Sequence, residues 1–322
     1  MAHTVVLLDL TSPERAEHLR QLLPPDFVLT HGTARGDEHL KEIIRDADFA
    51  ISGQVGVSGE VLRAAQRLKL LHKWGVGVDN IDTTAAKELG IKVARTTGSN
   101  AVPVAEFTIG LIIATLRFQA LGHERLRQGH WMAFNQTPGA TLCISGKTVG
   151  LIGFGAIGQA VAARLRSFGC TILYNKRARL SAAEEAELGV TYAATDHLLA
   201  QSDIVCLHCP LTPETTNLID SRALSRMKRS AVLINVARGG VVVEADLAQA
   251  LRDRTIRGAA MDVYSIEPLP PDSELLKLDN IVVTPHLGAA TADTFEPTVR
   301  RMFDNMVRVT RGAPIPERDL VV

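Results

Sequence analysis

Three polar side chains in the second half of the chain each follow a short apolar run. They are Arg238, Glu267 and His286. The planar guanidinium fork of an arginine suits a carboxylate better than the point charge of a lysine does. A histidine beside a carboxylate is favoured in its protonated form, so it can act as a general acid near neutral pH. Each residue alone also fits a surface or capping role, but together they indicate a site that binds an anionic group and delivers a proton.

A glycine-rich segment lies upstream of these residues. The apolar run Thr148–Ile152 leads directly into Gly153–Gly158, which has the spacing G-x-G-x-x-G, and a helical pattern follows. In such a loop Gly153 permits a tight turn, Gly155 lets the main chain approach a pyrophosphate, and Gly158 lets helix and strand pack closely. The pyrophosphate would lie at the helix N-terminus, where free N–H groups stabilise anions. The motif predicts dinucleotide binding by the whole loop, that is by Gly153, Phe154, Gly155, Ala156, Ile157 and Gly158.

The end of the next predicted strand bears on which dinucleotide is bound. NAD-binding folds carry an acidic residue about 20 positions after the glycines, where it bonds the ribose hydroxyls. Asn175, Lys176 and Arg177 stand there instead. Asn175 can still bond a ribose hydroxyl, and no acidic side chain at this position repels a 2′-phosphate. We therefore expect NADP(H) to be favoured, with NAD(H) possible; the alternative is that Lys176 and Arg177 are solvated charges that bind nothing.

The elements that must position these residues alternate between strand and helix along the 322 residues. Hydrophobic residues make up 46% of the chain and aromatic residues only 4%, so the core is aliphatic, as in buried parallel strands covered by helices. The pattern predicts an α/β fold with doubly wound parallel sheets. Lysine and arginine total 35 and balance 35 aspartates and glutamates, which argues against an extended nucleic-acid surface.

The order of the elements predicts two Rossmann-like lobes. The first alternating series ends near residue 100, and the second contains six apolar runs that suit a dinucleotide-binding sheet. A long helix is expected from Ala101 to about Leu121, and a last helix at Ala292–Thr310 is expected to pack back on the first lobe. We therefore expect a discontinuous substrate-binding domain of residues 1–100 and 288–322 and a dinucleotide-binding domain of residues 101–287.

The cysteines and the first residues bear on the compartment. Four cysteines are too few for a disulfide framework in a chain of this length, and Asp9 and Glu14 interrupt any apolar targeting segment. We expect a cytoplasmic protein with no membrane and no nucleic-acid partner. Cys206, His208 and Cys209 have a spacing that suggests zinc, but a closed site needs a fourth ligand. We interpret the two cysteines as buried and structural, and we expect no metal.

Over essentially its whole length the chain resembles the D-isomer-specific 2-hydroxyacid dehydrogenase family. The matching stretches, highly specific in combination, are Lys73–Asp82, Gly153–Gly158, Asn235–Gly240, Asp262–Pro268 and Thr284–Gly288. The resemblance implies a flavodoxin-like substrate lobe together with a dinucleotide-binding lobe. It also implies an NAD(P)-dependent oxidoreductase that reduces a small 2-oxo acid of the glyoxylate or hydroxypyruvate type to the D-2-hydroxy acid, or runs the reverse reaction.

The resemblance implies roles for individual residues. Arg238 would anchor the substrate carboxylate, His286 would donate the proton, and Glu267 would be the partner of His286. The implied substrate contacts are Val55, Lys73, Val76, Gly77, Arg238 and His286. The implied cofactor contacts outside the glycine loop are Cys209, Pro210, Val236, Ala237 and Asp262. With the residues after the second strand, the expected cofactor contacts also include Asn175, Lys176, Arg177, His208, Arg238, His286 and Gly288.

Three alternatives stay open. D-3-phosphoglycerate dehydrogenases of this family often carry a basic residue near Ser52, whereas Ser52–Gly56 offers none and Lys73 is the only cation expected on that side. A formate- or phosphonate-type dehydrogenase would share the fold, but formate-type enzymes pair the histidine with glutamine and this chain has Glu267. A nucleotide-sensing, corepressor-like binding protein would share the fold too, but such proteins usually carry disordered tails.

The helix that begins at Ala101 predicts an assembly. Ile109, Ile112, Ile113 and Leu116 make it more apolar than a solvent-facing helix can be without forming an interaction patch. The alternative is that the helix is covered on all sides within one chain. With the family resemblance, which points the same way, we expect a homodimer.

Overall fold

The computed structural model describes residues 2–132, 137 and 139–322. The chain divides into two compact units, residues 1–100 with 291–322 and residues 101–290. The second unit therefore runs slightly past the expected boundary at residue 287. The reason is local, because the main chain of Leu287 and Gly288 donates hydrogen bonds to Asp262 within the same unit.

The first unit alternates strands and helices and ends with the last helix of the chain. Its strands are β1 (His3–Leu10), β2 (Phe27–Gly32), β3 (Phe49–Ser52), β4 (Leu70–Lys73) and β5 (Lys92–Ala94). Its helices are α1 (Pro13–Gln21), α2 (Asp37–Ile44), α3 (Gly59–Ala64), α4 (Thr83–Glu88) and α12 (Ala292–Thr310).

The strands of the first unit form a parallel sheet in the order β2-β1-β3-β4-β5. This is the flavodoxin-like doubly wound order, as the resemblance implied. Successive side chains of a strand point to opposite faces. Val5 and Leu7 of β1 accordingly pack in the core layer that contains α12 residues, and Val6 and Leu8 pack in the layer that contains α2 and α3 residues. The last helix thus covers one face of the first sheet.

The second unit holds the other parallel sheet. Its strands are β6 (Thr148–Ile152), β7 (Thr171–Asn175), β8 (Thr191–Tyr192), β9 (Ile204–Leu207), β10 (Val232–Asn235), β11 (Gly258–Met261) and β12 (Ile281–Val283). Its α-helices are α5 (Ala101–Leu116), α6 (Gln119–Arg127), α7 (Ala156–Arg166), α8 (Ala182–Leu188), α9 (Thr195–Gln201), α10 (Ser221–Arg226) and α11 (Glu244–Arg252).

The sheet order β8-β7-β6-β9-β10-β11-β12 begins with the 3-2-1-4-5-6 order of dinucleotide-binding folds and adds one strand. One face is covered by apolar residues of α5 and α7, and the other by residues of α9, α10 and α11. The glycine-rich loop leaves β6, next to the point where the strand order reverses. Ligands of open α/β sheets bind outside the carboxyl ends of the strands at this point.

Two expectations for the second unit were wrong. In the described residues its sheet has seven strands, because the two-residue strand β8 also pairs with β7. The helix from Ala101 is not continuous, since α5 ends at Leu116 and α6 departs from it at 65°. Phe118 adopts the left-handed conformation (φ 51°, ψ 38°) at the break. Its ring is buried and Arg257 lies over it at 5.0 Å, so tertiary packing stabilises a backbone conformation that phenylalanine disfavours.

A buried polar cluster joins β4 to α12 in the first unit. The His72 side chain is fully buried; its Nδ1 donates to the Lys73 carbonyl (3.0 Å) and its Nε2 accepts from the Asn305 amide (3.1 Å). Burial lowers the pKa of His72 to about 4. Both ring nitrogens are thus hydrogen-bonded in the neutral form, and protonation would set a second N–H against the Asn305 amide.

We expect the free energy of unfolding to fall as the pH is lowered from 6.5 towards 4. In this window the unfolded chain binds a proton at His72 and the folded chain does not, so acid favours unfolding. The contribution is complete above pH 6.5, and about 3 kcal/mol is lost on the way to pH 4. Urea unfolding at about pH 7.5 and about pH 5 measures the loss. His72→Gln keeps a donor and an acceptor, so it should flatten the profile; an unchanged slope would contradict the assignment.

Two features of the described residues bear on membranes and metals. No single helix there has both the length and the apolar character to cross a bilayer, and only the bent pair α5 and α6 meets that criterion together. In the same residues, no group of three histidine, cysteine, aspartate or glutamate side chains is arranged to hold a metal ion.

Candidate active site

Arg238, Glu267 and His286 lie in the loops that follow β10, β11 and β12. These three strands are adjacent and parallel, with Asn235 opposite Met261 and Met261 opposite Val283. Since the strands end in register, their loops leave the same edge of the sheet. The topology thus places the three residues at one edge.

His286 and Glu267 form a direct hydrogen-bonded pair. His286 Nδ1 lies 2.7 Å from Glu267 Oε2, and each side chain is about one-third exposed, at 32% and 28%. A carboxylate can only accept, so Nδ1 carries a proton and Nε2 is the nitrogen left for proton transfer. Burial raises the pKa of the Glu267 carboxyl, but hydrogen bonds from His286 and the Tyr264 N–H, with the charges of His286 and Arg238, bring it below its usual value. The glutamate is therefore the anionic partner of the histidine.

Asp262 fixes the loop that carries His286. The aspartate is buried, and its carboxylate accepts from the Thr284 hydroxyl (2.6 Å) and from the N–H groups of Leu287 and Gly288 (2.8 Å each). Its carbonyl also accepts from the His286 N–H at 2.8 Å. These bonds hold His286 in the left-handed region (φ 54°), which a histidine rarely adopts without such support. The loop is therefore pre-organised before any ligand binds.

Tyr264 and Gly239 bring the loop of Arg238 against the loop of Glu267. The Tyr264 hydroxyl donates to the carbonyls of Met261 (2.9 Å) and Thr284 (3.1 Å). A Cβ atom at Gly239 would lie only 1.9 Å from the Tyr264 carbonyl carbon, so glycine is required for this approach. Arg238 next to it donates to the Ala237 carbonyl (2.7 Å), and its charge acts on Glu267. The site thus combines a cation, a histidine and a carboxylate.

The glycine-rich loop has the shape that a bound pyrophosphate requires. Gly153 has a positive φ (94°), and a Cβ there would lie 2.3 Å from the Cys209 nitrogen, so the loop presses on the segment after β9. A Cβ at Gly158 would lie 2.5 Å from the Gly153 carbonyl oxygen, whereas one at Gly155 would meet no atom within 4 Å. Gly155 therefore faces open space at the N-terminus of α7. The fit to an anionic cofactor group is good.

The segment after β9 adds a second observation. The two ring nitrogens of His208 are buried and have no hydrogen-bond partner in the part of the chain that the structure describes. Burial lowers the pKa of His208 to about 4, so the ring is neutral and can both donate and accept. Cys209 is buried beside it and Pro210 is exposed. Buried polar atoms usually have a hydrogen-bond partner. The two unpartnered ring nitrogens beside the glycine loop therefore fit a site in which a bound ligand supplies the partners.

The other expected cofactor contacts divide by exposure. The Phe154 side chain is buried against Tyr174, with ring centroids 4.6 Å apart, so only its main chain is left for a ligand. Val236 and Ala237 are buried beside the edge that carries Arg238. Ala156 is exposed and Ile157 is half-buried at the start of α7. The Gly288 N–H is occupied by Asp262.

The segment after β7 contains one engaged and two available cations. Arg179 binds Glu185 through two hydrogen bonds of 2.8 and 2.9 Å. Neither Lys176 nor Arg177 forms an ion pair or hydrogen bond with any residue that the structure describes. The Asn175 amide donates to the Ala193 carbonyl (2.9 Å), which leaves its oxygen free of that bond. Two cations at the end of β7 can therefore turn to a ligand.

The expected substrate contacts outside this unit belong to loops of the first unit. Val55 is half-buried in the loop after β3, and Lys73 ends β4 with only 6% of its surface exposed. Val76 and Gly77 lie in a turn whose Gly75 carbonyl accepts from the Thr96 N–H at 3.0 Å. The first unit thus presents its candidate substrate residues at the carboxyl ends of its strands.

Sequence reasoning missed the residues that position the site. Tyr264 and Asn80 lie inside the matched motifs but carry no chemical signal of their own. Asp9 was considered only as an interruption of an apolar segment, yet its carboxylate accepts from the main chain of Gln54 at 2.7 Å. That contact joins residues far apart in the chain, so spacing could not reveal it.

Comparison with known proteins agrees with this geometry. Residues 109–288 match the family described as D-isomer specific 2-hydroxyacid dehydrogenase, NAD binding domain. The glyoxylate reductase of Korarchaeum cryptofilum is 38% identical over 273 residues, which cover 84% of this chain and 82% of that protein. The D-3-phosphoglycerate dehydrogenase of Archaeoglobus fulgidus is 35% identical over 280 residues, which cover 87% of this chain but only 52% of that protein.

A solved structure extends the similarity to the fold. The NADPH-dependent glyoxylate/hydroxypyruvate reductase of Sinorhizobium meliloti, in complex with NADP and malonate, superposes with a TM-score of 0.86 at 29% identity. The superposition covers 100% of this chain and 99% of that chain. Since the family match spans more than half of the residues and carries the glycine loop and the three strand-end loops, this chain belongs to the D-isomer-specific 2-hydroxyacid dehydrogenase family.

Proposed function

We propose that the protein is an NAD(P)H-dependent reductase of small 2-oxo acids of the glyoxylate or hydroxypyruvate type. The observation that carries the proposal is the His286–Glu267 pair at 2.7 Å, with the charge of Arg238 acting on the same carboxylate. In this reading His286 donates the proton and Arg238 binds the carboxylate group of the substrate. With a dinucleotide loop in the same unit, these groups suit the reduction of a carbonyl that lies next to a carboxylate. The names of the similar proteins support the same substrate class.

The protein groups have separate tasks in this reaction. A bound nicotinamide cofactor supplies the hydride that adds to the carbonyl carbon. Arg238 holds the substrate carboxylate through its planar fork. The carbonyl oxygen takes the proton of His286 Nε2 as the carbon–oxygen double bond becomes a single bond. Glu267 stabilises the imidazolium before transfer and fixes the ring through Nδ1, and Asp262 holds the loop that carries the histidine.

A direct assay tests the proposed function. Loss of nicotinamide absorbance is followed with glyoxylate, hydroxypyruvate, 3-phosphohydroxypyruvate and pyruvate, and formate oxidation is followed in the reverse direction. We expect the two small unphosphorylated acids, glyoxylate and hydroxypyruvate, to give the highest kcat/KM. Turnover of formate alone, or of none of these acids, would contradict the proposal.

We further propose that the protein prefers NADPH. Lys176 and Arg177 form no ion pair or hydrogen bond among the described residues, and positions 175–177 hold no carboxylate. Their charges act on Glu184 and Glu214, which lie elsewhere in the unit. Charge-assisted hydrogen bonds to phosphate are about twice as strong as neutral ones, so one or two of them favour NADPH by about 1–3 kcal/mol. The ratio of kcat/KM for NADPH and NADH measures this preference, and added salt should reduce it.

Variants separate this preference from a general charge effect. The double variant Lys176→Ala/Arg177→Ala should lose the NADPH preference and retain activity with NADH. Arg229→Ala is the matched control, because this exposed arginine precedes β10 and so lies at the opposite edge of the sheet. Equal kcat/KM values for the two cofactors in the wild type, or no change in the double variant, would show that the 2′-phosphate is not bound here.

We also propose that two copies of the chain assemble through the region of α5 and α6. Ile112 and Leu116 are buried within the unit, whereas Val102, Leu126 and Trp131 are 52%, 57% and 81% exposed. Helix α6 buries no residue at all, although a helix of nine residues is marginal without tertiary packing. A second copy would supply that packing. The apolar residues of α5 from which the sequence argued are covered within the unit, with Ile109 packed against its core, so the proposal rests on the exposed residues and on α6.

Light scattering should therefore give twice the mass of one chain at micromolar concentration. The double variant Leu126→Lys/Trp131→Lys should give the mass of one chain, because two charges cannot be buried at the interface without cost. The control Leu10→Lys changes a leucine that is 47% exposed in the other unit and should leave the mass unchanged. A monomer mass for the wild type would overturn the proposed assembly.

A further inference from the structure

The loop after β3 leaves the middle of the first sheet between two neighbours. β3 is flanked by β1 and β4, with Leu7 opposite Ile51 and Ser52 opposite Lys73. The carboxyl ends of β1 and β4 therefore stand on either side of the segment Gly53–Gly56. This segment contains Val55, one of the expected substrate contacts.

From the side of β1, one carboxylate binds three consecutive main-chain groups of this loop. Asp9 accepts from the N–H groups of Gly53, Gln54 (2.7 Å) and Val55 (3.0 Å). A Cβ atom at Gly53 would lie 3.1 Å from Asp9 Oδ2, so glycine allows the close approach. The three N–H groups are thus occupied by Asp9.

From the side of β4, Lys73 and Asn80 bind the carbonyls of the same loop. The Lys73 ammonium donates to the Gly53 carbonyl and to Asn80 Oδ1, the latter at 2.7 Å. The Asn80 amide donates to the Val55 carbonyl at 2.7 Å, and Ser52 Oγ donates to the same carbonyl at 2.7 Å. Both faces of the loop backbone are therefore held by side chains.

The burial of Lys73 indicates what its charge is for. The residue is only 6% exposed, and taking an ammonium group out of water is costly unless hydrogen bonds compensate it. An apolar side chain of similar length would fill the same space at lower cost, but it could not bind the Gly53 carbonyl or Asn80. The hydrogen bonds of this charge therefore stabilise the conformation of the loop.

We propose that Lys73, with Asp9 and Asn80, is a positioning residue that fixes the Ser52–Gly56 loop for a small unphosphorylated 2-oxo acid, and that it is not a ligand for a substrate phosphate. The inference rests on the proposed function and specifies its substrate class. Two of the three N–H donors of the Lys73 ammonium bind the Gly53 carbonyl and Asn80, so at most one of them is left for any other group. Because three side chains share the task, removal of Lys73 and removal of Asn80 have the same kind of effect.

Lys73→Met tests this role by removing the ammonium and keeping the length of the side chain. We expect KM for glyoxylate and hydroxypyruvate to rise about 10-fold, as for loss of one hydrogen bond to a charged group, with kcat and KM for NADPH changed less than about 3-fold. Asn80→Ala should change the same parameters in the same direction. Lys69→Met is the matched control, since this lysine pairs with Asp48 (3.0 Å) just before β4, at the opposite strand ends. It should leave both KM values unchanged.

A phosphorylated substrate separates positioning from phosphate binding. We expect Lys73→Met to lower kcat/KM for hydroxypyruvate and for 3-phosphohydroxypyruvate by the same factor. A loss confined to the phosphorylated acid would make Lys73 a phosphate ligand and overturn the inference. An unchanged KM for both unphosphorylated acids in a folded Lys73→Met protein would overturn it too.

Hydrogen exchange tests the loop without any substrate. We expect the amides of residues 53–55 to lose protection in Lys73→Met and in Asn80→Ala but not in Lys69→Met. Unchanged protection in the first two variants would contradict the positioning role even if the enzyme is active. If the wild type reduces no 2-oxo acid, the proposed function fails, while the exchange result still decides what Lys73 does to the loop.

Discussion

Replacing His286 with alanine is expected to lower kcat for 2-oxo acid reduction by about 10²–10⁴-fold, the usual contribution of a general acid. The variant removes the ring whose Nδ1 is bound to Glu267 at 2.7 Å, and with it the nitrogen Nε2 that is left for proton transfer. The loop itself should survive, because Asp262 holds it through main-chain groups. Single-turnover kinetics with NADPH and glyoxylate measures the loss, and cofactor fluorescence should show that NADPH still binds. Retention of kcat within a few-fold would remove His286 from the mechanism.

Glu267→Gln is the companion variant for this prediction. The pKa of the Glu267 carboxyl lies below its usual value, so the glutamate is anionic throughout the working pH range. Glutamine keeps the size of the side chain but removes the negative charge that faces the His286 ring. A hydrogen bond to a charged group contributes about 1.5–3 kcal/mol, so kcat for 2-oxo acid reduction should fall about 10–100-fold. Steady-state kinetics measures the fall, and an unchanged kcat would mean that the carboxylate does not act through the histidine.

Replacing Arg238 with alanine is expected to lower kcat/KM for the 2-oxo acid by about 10²–10⁴-fold. Two hydrogen bonds from a guanidinium to a carboxylate contribute about 1.5–3 kcal/mol each, and both are lost. Arg238 directly precedes Gly239, which packs on the backbone of Tyr264, so the anchor is held close to the His286–Glu267 pair. Steady-state kinetics should show a large rise in KM as well as a fall in kcat, because both binding and orientation depend on the anchor.

Arg238→Lys is the control that distinguishes the fork from the charge. Lysine keeps the positive charge but cannot form the two parallel hydrogen bonds, so it should restore only part of the lost kcat/KM. NADPH should still bind to both variants through the glycine loop, although Arg238 is also an expected cofactor contact, and cofactor fluorescence measures its dissociation constant. If Arg238→Ala left KM for glyoxylate unchanged, the arginine would have a structural role and the substrate carboxylate would be bound elsewhere.

Much of the fold follows from local patterns in the sequence. The alternation of short apolar runs with helical segments predicts parallel sheets, because each strand needs apolar cover on both faces. The helix at Ala292–Thr310 lies where the pattern placed it. The two failures have different origins. Strand β8 has only two residues, too few to show a pattern, whereas Phe118 breaks the helix from Ala101 through contacts that lie outside its own segment.

The sequence also groups the candidate catalytic and cofactor-binding residues of the second unit. The glycine spacing of Gly153–Gly158 depends on steric limits within a few residues of chain, and the ends of parallel strands meet at one edge by topology alone. Arg238, Glu267 and His286 could therefore be grouped before any distance was known. Residue type and order along the chain are sufficient for this level of inference.

What only the tertiary structure decided is how these residues are held and which of them are occupied. The sequence presents Lys73 as a cation beside a substrate loop, and the structure buries it with Gly53 and Asn80. The sequence gives no reason to treat Lys176 and Arg177 differently from Arg179. In the structure Arg179 is the one of these three cations that hydrogen-bonds a carboxylate, that of Glu185. The physical reason is that hydrogen bonds and desolvation depend on partners brought together by folding, so the task of a charged side chain is set by contacts that spacing along the chain does not encode.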